Sequence, residues 1–369
     1  GLYQCSACRH KAARVTRTEL LRRNSKMCAK CGKDVSGEMG EHRQGEFLCA
    51  ACKTDTSYLV RFLLELADKG DKNVLAIQGY EIIRELGKGG MGAVYLARQI
   101  KTGSQVALKV MLPEVAADEY AKESFWREAE NTRALKHRHT VELRDWGISN
   151  GIFFFTLEYC EGGSVSDLIK RRGGKLSIDE AGRIIIQALD GLEYAHHAPI
   201  PYVKRVDGSF GPGRGLVHRD IKPANIFLSG LGSSYIAKVG DYGLAKAFDV
   251  AGLSGRTGTN AKAGTLQFMP RQQAVSFKYA KPEVDVWAMA ATFYMMLTGR
   301  CPRNFPKRED PQGMDVWQVV LQTKPVPIRN RDASIPKRLA DVIDLALVDQ
   351  PAIHFKTSAE FKQALESVL

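Results

Sequence analysis

The segment His218–Asn225 places three side chains suited to phosphoryl transfer within one short loop. The Asp220 carboxylate could orient a substrate hydroxyl, and the Lys222 ammonium could steady the migrating phosphoryl group. The side-chain oxygen of Asn225 could hold a metal ion. Such an octapeptide could also be an ordinary surface loop, so its interpretation depends on the motifs that accompany it.

A glycine-rich segment lies upstream, with Gly87, Gly89 and Gly92 in the spacing Gly-x-Gly-x-x-Gly. Glycines let backbone N–H groups close over phosphates without a clash from side chains. The same spacing occurs in dinucleotide-binding folds, where a helix and a distal acidic residue follow it. Here a strand and Lys109 follow instead. The segment therefore predicts a phosphate-binding loop of another kind.

The order and spacing of four motifs resemble the protein kinase family. The motifs are Gly87–Val94, Val106–Lys109, His218–Asn225 and Asp241–Gly243, and the resemblance extends from about Gly79 to Leu369. It implies an α+β, bilobal protein kinase fold over residues 77–369, with a small antiparallel β lobe (77–159) and a large helical lobe (160–369). Lys222 and Thr265 resemble serine/threonine-specific members, and the Ala-Gly-Thr segment 263–265 resembles the bacterial branch of eukaryotic-like serine/threonine kinases.

The resemblance implies a role for each charged motif residue. Lys109 would bind the α- and β-phosphates of ATP and be held by a glutamate of the next helix. Glu128 is the first candidate for that glutamate and Glu130 the second. Asp220 would be the catalytic base, with Lys222 beside it. The implied activity is transfer of the γ-phosphate of Mg-ATP to serine or threonine hydroxyls.

The resemblance also implies a set of cofactor contacts. Asn225 and Asp241 would be ligands of Mg²⁺ (or Mn²⁺). The adenine would lie among apolar strand residues, the segment joining the lobes and one large-lobe side chain. These residues are Val94, Ala107, Leu157, Glu158, Cys160 and Phe227.

The activation segment, which follows Asp241, offers candidate sites of autophosphorylation. In the family, the arginine beside the catalytic aspartate pairs with a phosphate there, which implies that role for Arg219. The acceptors would be Ser254, Thr257 or Thr259. Such a phosphate could order the segment through the arginine.

Two features depart from the family pattern. Pro270–Gln272 replaces the usual Ala-Pro-Glu, whose glutamate pairs with a buried arginine late in the large lobe, and His354 stands in the corresponding late segment. Because both partners differ, we expect a rebuilt contact rather than one stranded charge. An insertion over 198–215 has hairpin-like turn chemistry and is either a docking element or a passive surface elaboration.

The elements that position these residues follow from the pattern of apolar side chains. Alternating or β-branched runs predict strands at 80–86, 93–97, 105–110 and 151–157, interrupted by one helix at 119–135. Helical spacing dominates later, at 178–196, 284–297 and 339–347. The chain has 369 residues, of which 44% are hydrophobic. No run approaches the roughly 18 apolar residues of a membrane span, and the start does not read as a signal peptide, so we expect a cytoplasmic protein.

Residues 1–55 carry six of the eight cysteines, in three Cys-x2-Cys pairs. Cys28/Cys31 and Cys49/Cys52 are separated by 17 residues, within the range for a structural Zn²⁺ site. Disulfides are the alternative, and a cytosolic kinase-like chain argues against them. Cys5/Cys8 could instead pair with Cys28/Cys31, or form a second site with His10 or His42. The sequence thus predicts a zinc-ribbon-like module, followed by an amphipathic linker helix over 56–76 whose apolar residues lie at helical spacing.

The net charge is +12, and basic residues are concentrated in the first 33 positions. That excess indicates either a solvated basic face or contact with an acidic partner. Two alternatives to an active kinase stay open. One is a pseudokinase, a nucleotide-binding scaffold without phosphate transfer. The other makes the zinc module a reader of nucleic acid or protein and the kinase domain its accessory.

Overall fold

The computed structural model describes residues 33, 79–89, 92–111, 119–149, 152–204, 209–230, 232, 235–242, 266–277, 280–306 and 314–369. The chain divides into two compact units, Gly1–Ile82 and Ile83–Leu369. Only Lys33 and 79–82 are described in the first unit, so the predicted zinc module and linker helix lie outside the described residues. The architecture below is that of the second unit and of the strand that leads into it.

The small lobe is a five-stranded sheet with one helix. Its strands are β1 (Tyr80–Gly89), β2 (Gly92–Gln99), β3 (Gln105–Met111), β4 (Leu143–Ser149) and β5 (Ile152–Glu158), in the order β1-β2-β3-β5-β4. Helix α1 (Glu119–Arg133) lies between β3 and β4. Val106, Leu108 and Val110 are buried. Because side chains alternate across a strand, Lys109 points to the opposite face of β3.

The large lobe is built mainly of helices, with two small two-stranded sheets. The helices are α2 (Val165–Arg171), α3 (Ile178–His197), α4 (Arg271–Val275), α5 (Glu283–Thr298), α6 (Val316–Gln322), α7 (Lys337–Ala346) and α8 (Ser358–Glu366). The sheets pair β6 (Pro199–Lys204) with β7 (Phe210–Arg214), and β8 (Ile226–Ser229) with β9 (Ile236–Val239). Short 3₁₀ turns lie at Pro223–Asn225 and Ile328–Asn330.

Local chemistry explains where several helices begin and end. Ser164 and Asp167 form a reciprocal capping box at the start of α2, and Ser177 caps α3 by accepting from the backbone of Glu180. Helix α5 is apolar on all sides and ends at Gly299, whose φ of 69° suits glycine. An all-round apolar helix must be buried, and α5 therefore forms the centre of the large-lobe core.

The predicted arrangement of an antiparallel sheet lobe followed by a helical lobe is confirmed for the described residues. The helices predicted at 178–196, 284–297 and 339–347 are observed within two residues of those bounds. The insertion is a hairpin, as its turn chemistry indicates. Among the described helices, none has the length and apolar character needed to cross a membrane.

Candidate active site

Lys109 on β3 and Asp241 after β9 form an ion pair, although 132 residues separate them in the sequence. The distance from Lys109 Nζ to Asp241 Oδ1 is 2.9 Å. Burial works to raise the pKa of Asp241, but the charge and hydrogen bond of Lys109 hold it below its ordinary value. The carboxylate is therefore ionised, and it carries the negative charge that a metal ligand needs.

The loop between β7 and β8 brings three predicted residues into one cluster. Lys222 Nζ donates to both Asp220 oxygens, at 3.0 and 2.8 Å. Asn225 Nδ2 donates to the backbone carbonyl of Asp220 at 2.8 Å and to its Oδ2 at 3.0 Å. The backbone N–H of Gly240 donates to the Asn225 carbonyl at 2.9 Å. This bond ties the cluster to the residue that precedes Asp241.

A buried aspartate of α5 holds the backbone of this loop. Asp285 accepts from the backbone N–H groups of His218 and Arg219, each at 2.7 Å. The His196 ring is a third partner, with Nε2 2.9 Å from Asp285 Oδ2. Arg219 adopts a φ of 66°, a left-handed conformation that is costly for a side chain of this size. The Asp285 bonds offset that cost and fix the loop from which Asp220 extends.

Tyr242 anchors the segment that carries Asp241. Its ring is buried and lies 4.6 Å, centroid to centroid, from the ring of His218. Its hydroxyl donates to the carbonyl of Gly191 at 3.4 Å, so this buried polar group has a partner. His218 Nε2 lies 2.7 Å from the Gly240 carbonyl. The surroundings of His218 are therefore structural.

Helix α1 presents its two candidate glutamates to different surroundings. Glu128 is buried. Burial lowers the pKa of the Arg219 guanidinium, and the negative charges of Asp285 and then Glu128 oppose that lowering. Glu130 accepts from the indole nitrogen of Trp146 at 3.0 Å. The Thr132 hydroxyl shares its one hydrogen between the backbone carbonyls of Glu128, at 2.8 Å, and Tyr242, at 3.2 Å. Helix α1 is thereby joined directly to the segment that carries Asp241.

The predicted nucleotide-binding residues line neighbouring strands. Val94 pairs with Lys109 in the β2–β3 register, and Ala107 pairs with Leu157 between β3 and β5. Gly89 ends β1 and Gly92 begins β2. A Cβ added at Gly87 would meet no atom of the described residues within 4 Å.

The segment between the lobes carries the other predicted adenine contacts. Glu158 pairs with Lys238 at 3.1 Å, and its backbone N–H donates to the carbonyl of Glu142 at 2.9 Å. Burial, with the charge of Glu158, raises the pKa of the Cys160 thiol to about 12, so Cys160 is protonated at neutral pH. The Phe227 ring fills the space beside Gly240, where an added Cβ would lie 2.9 Å from it.

Asn225 and Asp241 fit a hard divalent cation. Because the amide nitrogen of Asn225 faces Asp220, the amide oxygen is left as the ligand atom. Among the described residues there is no cluster of three or more His, Cys, Asp or Glu side chains that could hold a metal. Mg²⁺ does not need one, since it is commonly held by one or two carboxylates together with substrate phosphates.

The contact at Pro270–Gln272 is rebuilt, but its partner was predicted wrongly. Arg271 pairs with the buried carboxylate of Asp349 at 2.7 Å, and Arg303 also bonds to that carboxylate. His354 is exposed and packs edge-on against Phe355. The charge order is thus reversed relative to the family pattern, with the basic residue at the end of the activation segment. Asp349 lies in the same late segment but was not predicted, because the family pattern places a basic residue there.

Several predicted site residues lie outside the described residues. They are the cysteines Cys5, Cys8, Cys28, Cys31, Cys49 and Cys52, the acceptors Ser254, Thr257 and Thr259, and Thr265. The structure also contains functional contacts without a sequence signal, such as His196 on Asp285 and the packing of the inserted hairpin on α1. Both contacts join groups that are distant in the sequence. The contact between the hairpin and α1 also uses backbone atoms of Tyr202, which no residue type reveals.

Comparisons with known proteins agree on one family. The family model that matches is "Protein kinase domain", over residues 80–367. The chain is 31% identical over 289 residues to serine/threonine-protein kinase PknF of Mycobacterium tuberculosis, covering 78% of this chain and 56% of PknF. It is 31% identical to PknB of Mycolicibacterium smegmatis, covering 42% of that protein. The chain spans only 38% to 56% of the lengths of the first three curated relatives.

Solved structures show the same fold. The crystal structure of the Mycobacterium tuberculosis PknI kinase domain matches with a TM-score of 0.56 at 24% sequence identity. The match covers 79% of this chain and 97% of the PknI domain. At this identity the likeness concerns the fold, which is a β-sheet lobe followed by a helical lobe.

Proposed function

The chain belongs to the protein kinase family, and from this premise we propose that it transfers the γ-phosphate of ATP to serine and threonine hydroxyls of proteins. The observation that carries the proposal is the convergence of Lys109, Asp220 and Asp241 from three separate segments. Lys109 contacts Asp241, and the positive charge of Lys222 beside Asp220 helps to lower the pKa of Asp241. Phosphoryl transfer needs this kind of placement and charge neutralisation more than covalent help.

Asp220 and Lys222 would act on the substrate hydroxyl and the transferred phosphoryl group. Asp220 would accept a hydrogen bond from the substrate hydroxyl and orient its oxygen toward the γ-phosphate. Lys222 would neutralise charge on the migrating group while staying bonded to Asp220. The fixed backbone of the loop, held by Asp285, would keep both side chains at a constant position during the transfer.

The donor side falls to the small lobe and to the metal ligands. Lys109 would bind the α- and β-phosphates, with the buried Glu128 as its supporting carboxylate. Asn225 and Asp241 would bind Mg²⁺ or Mn²⁺, which when bound neutralises charge on the β- and γ-phosphates. Val94, Ala107, Leu157 and Phe227 would enclose the adenine, with backbone groups of Glu158 and Cys160 at its edge. No described residue crowds a Cβ at Gly87, and we infer that close approach of a phosphate favours glycine there.

Autophosphorylation of the activation segment forms part of the proposal. Arg219 is half-buried, and its Nε has no hydrogen-bond partner among the described residues. A phosphate on Ser254, Thr257 or Thr259 would supply a strong acceptor for that guanidinium. The serine/threonine preference rests on Lys222 and Thr265, and on the names of the relatives, which are serine/threonine-protein kinases.

Phosphate transfer from labelled Mg-ATP to a generic protein substrate tests this function. We expect incorporation by the wild-type chain, and a fall of about 10²- to 10⁴-fold in Asp220→Asn. The matched control is Asp190→Asn, which changes a carboxylate paired with Lys362 at the surface and leaves the rate unchanged. ATP binding without transfer would instead support the pseudokinase alternative.

For residues 1–55 we propose a structural zinc module, on the strength of the Cys-x2-Cys spacing alone. Cys28, Cys31, Cys49 and Cys52 would hold one Zn²⁺, and the basic residues around them would face an acidic partner. Metal analysis of the purified full chain should give about one zinc per chain, lost in Cys28→Ser. If the purified protein contains no zinc, and added zinc does not change its stability, the proposal is wrong.

A further inference from the structure

The inserted hairpin β6–β7 belongs to the large lobe in sequence but packs against helix α1 of the small lobe. Asn131 of α1 donates from Nδ2 to the Tyr202 carbonyl at 2.9 Å, and its Oδ1 accepts from the Tyr202 backbone N–H at 3.0 Å. Asn131 is 4% exposed. A buried amide that uses both its donor and its acceptor on one residue fixes position and rotation together.

Two ring contacts flank this pair of hydrogen bonds. The rings of Trp126 and Tyr202 have centroids 4.8 Å apart, tilted by 57°. The Arg127 guanidinium lies 4.2 Å above the centre of the Phe210 ring. Both strands of the hairpin therefore contact α1, and the contacts span more than one helical turn. A helix held at two levels resists tilting as well as rotation.

The face of α1 held by the hairpin adjoins the face that serves the active site. Arg127 and Asn131 are four residues apart, as are Glu128 and Thr132, so the two pairs form adjacent stripes on the helix. Thr132 bonds to the Tyr242 carbonyl, and the charge of Glu128 acts on Arg219. Rotation that moved Glu128 away would therefore break the Asn131 bonds.

The base of the hairpin is fixed to the large lobe. Ile200 on β6 is buried within the large-lobe core. Gly215, which follows β7, has a φ of 86°, and an added Cβ there would lie 2.6 Å from the carbonyl oxygen of His196. At Gly213 an added Cβ would lie 2.4 Å from Val203. These close approaches make the hairpin a rigid extension of the lobe that carries Asp220.

We propose that the hairpin 199–214 is a built-in clamp that holds α1, and that Asn131 is a positioning residue for Glu128. The clamp would couple the placement of α1, and with it Glu128, to the lobe that carries the catalytic loop. The effect on rate depends on the kinase activity proposed above, whereas the effect on the helix does not. Under this proposal the insertion is an intramolecular docking element and not a passive surface elaboration.

Hydrogen exchange and steady-state kinetics on the full chain test the clamp together. Asn131→Ala should raise exchange in peptides covering 126–133 and leave the α5 peptides unchanged. It should lower kcat about tenfold, with a smaller change in the KM for ATP. Asn330→Ala, an exposed asparagine of the large lobe, is the matched control and should change neither. Tyr202→Ala removes the ring but keeps the backbone bonds to Asn131. It should therefore raise exchange in α1 and lower kcat in the same direction but by less, and it replaces Asn131→Ala if that variant does not fold.

A double variant separates positioning from general destabilisation. If Asn131 acts through Glu128, then Asn131→Ala should lower kcat no further in a Glu128→Gln background. If the two substitutions lower kcat by factors that multiply in the double variant, the positioning role is overturned. Raised exchange in α1 with unchanged kcat would also overturn it. Unchanged exchange would overturn the clamp itself. If the wild-type chain transfers no phosphate, the kinase proposal fails, and exchange in α1 still decides whether the hairpin holds the helix.

Discussion

Two buried aspartates of the large lobe, Asp285 and Asp349, hold neighbouring stretches of chain by different means. Asp285 holds the catalytic loop through backbone N–H groups and the His196 ring. Asp349 holds the end of the activation segment through the guanidinium groups of Arg271 and Arg303. Arg303 is fully buried and lies 4.7 Å from the ring centre of Trp287.

The difference teaches which contacts can change during evolution without loss of the fold. A backbone N–H is present whatever side chain occupies the position, so Asp285 has partners that substitution cannot remove. Asp349 also accepts from the backbone N–H of Arg271 at 3.2 Å. Its charged partners, however, are two side chains, and side chains that pair with each other can be exchanged together at little net cost. The reversed charge order at Arg271 is the outcome that this physical argument permits.

Removal of the Asp349 carboxylate should cause the largest loss of unfolding free energy. Asp349→Asn would leave two buried guanidinium groups without a counter-charge, which costs about 3–5 kcal/mol of unfolding free energy. Urea unfolding of the full chain measures that loss. The control is Asp341→Asn, because the Asp341–Lys337 pair is exposed and i,i+4, and we expect no resolvable shift of its midpoint. Equal midpoints for the two variants would break the comparison between the aspartates.

Asp285 should contribute less to the free energy of unfolding than Asp349, and its contribution should depend on pH. Burial works to raise the pKa of Asp285, but the His196 hydrogen bond and nearby positive charge hold it below its ordinary value. A carboxyl whose pKa is lowered in the folded state stabilises the fold above its unfolded pKa of about 3.9, and this contribution is lost as pH falls through the folded pKa.

His196→Gln removes the largest of the lowering causes. The folded pKa of Asp285 should then rise, and the acid-unfolding midpoint should move to a higher pH. Acid titration followed by circular dichroism measures the midpoint, with His197→Gln as the control because His197 is exposed. A midpoint that stays in place in His196→Gln would show that the backbone N–H groups alone hold the carboxylate.

Much of the fold and site was predictable because the signals are local. The β3 strand alternates between buried residues and Lys109, and the cluster of Asp220, Lys222 and Asn225 lies within six consecutive positions. The bond between Asn131 and Tyr202 was not predictable, because it uses backbone atoms of Tyr202 and leaves no side-chain signature there. Asp349 was missed for a different reason: charge reversal preserves the contact while changing both residue types.

The most direct measurement of the central claim is phosphoamino acid analysis after incubating the full chain with labelled Mg-ATP and a mixed peptide library. We predict phosphoserine and phosphothreonine, both lost in Asp220→Asn. The same products in wild type and Asp220→Asn, or bound ATP with no transfer in either, would contradict the assignment of this site to serine/threonine phosphorylation.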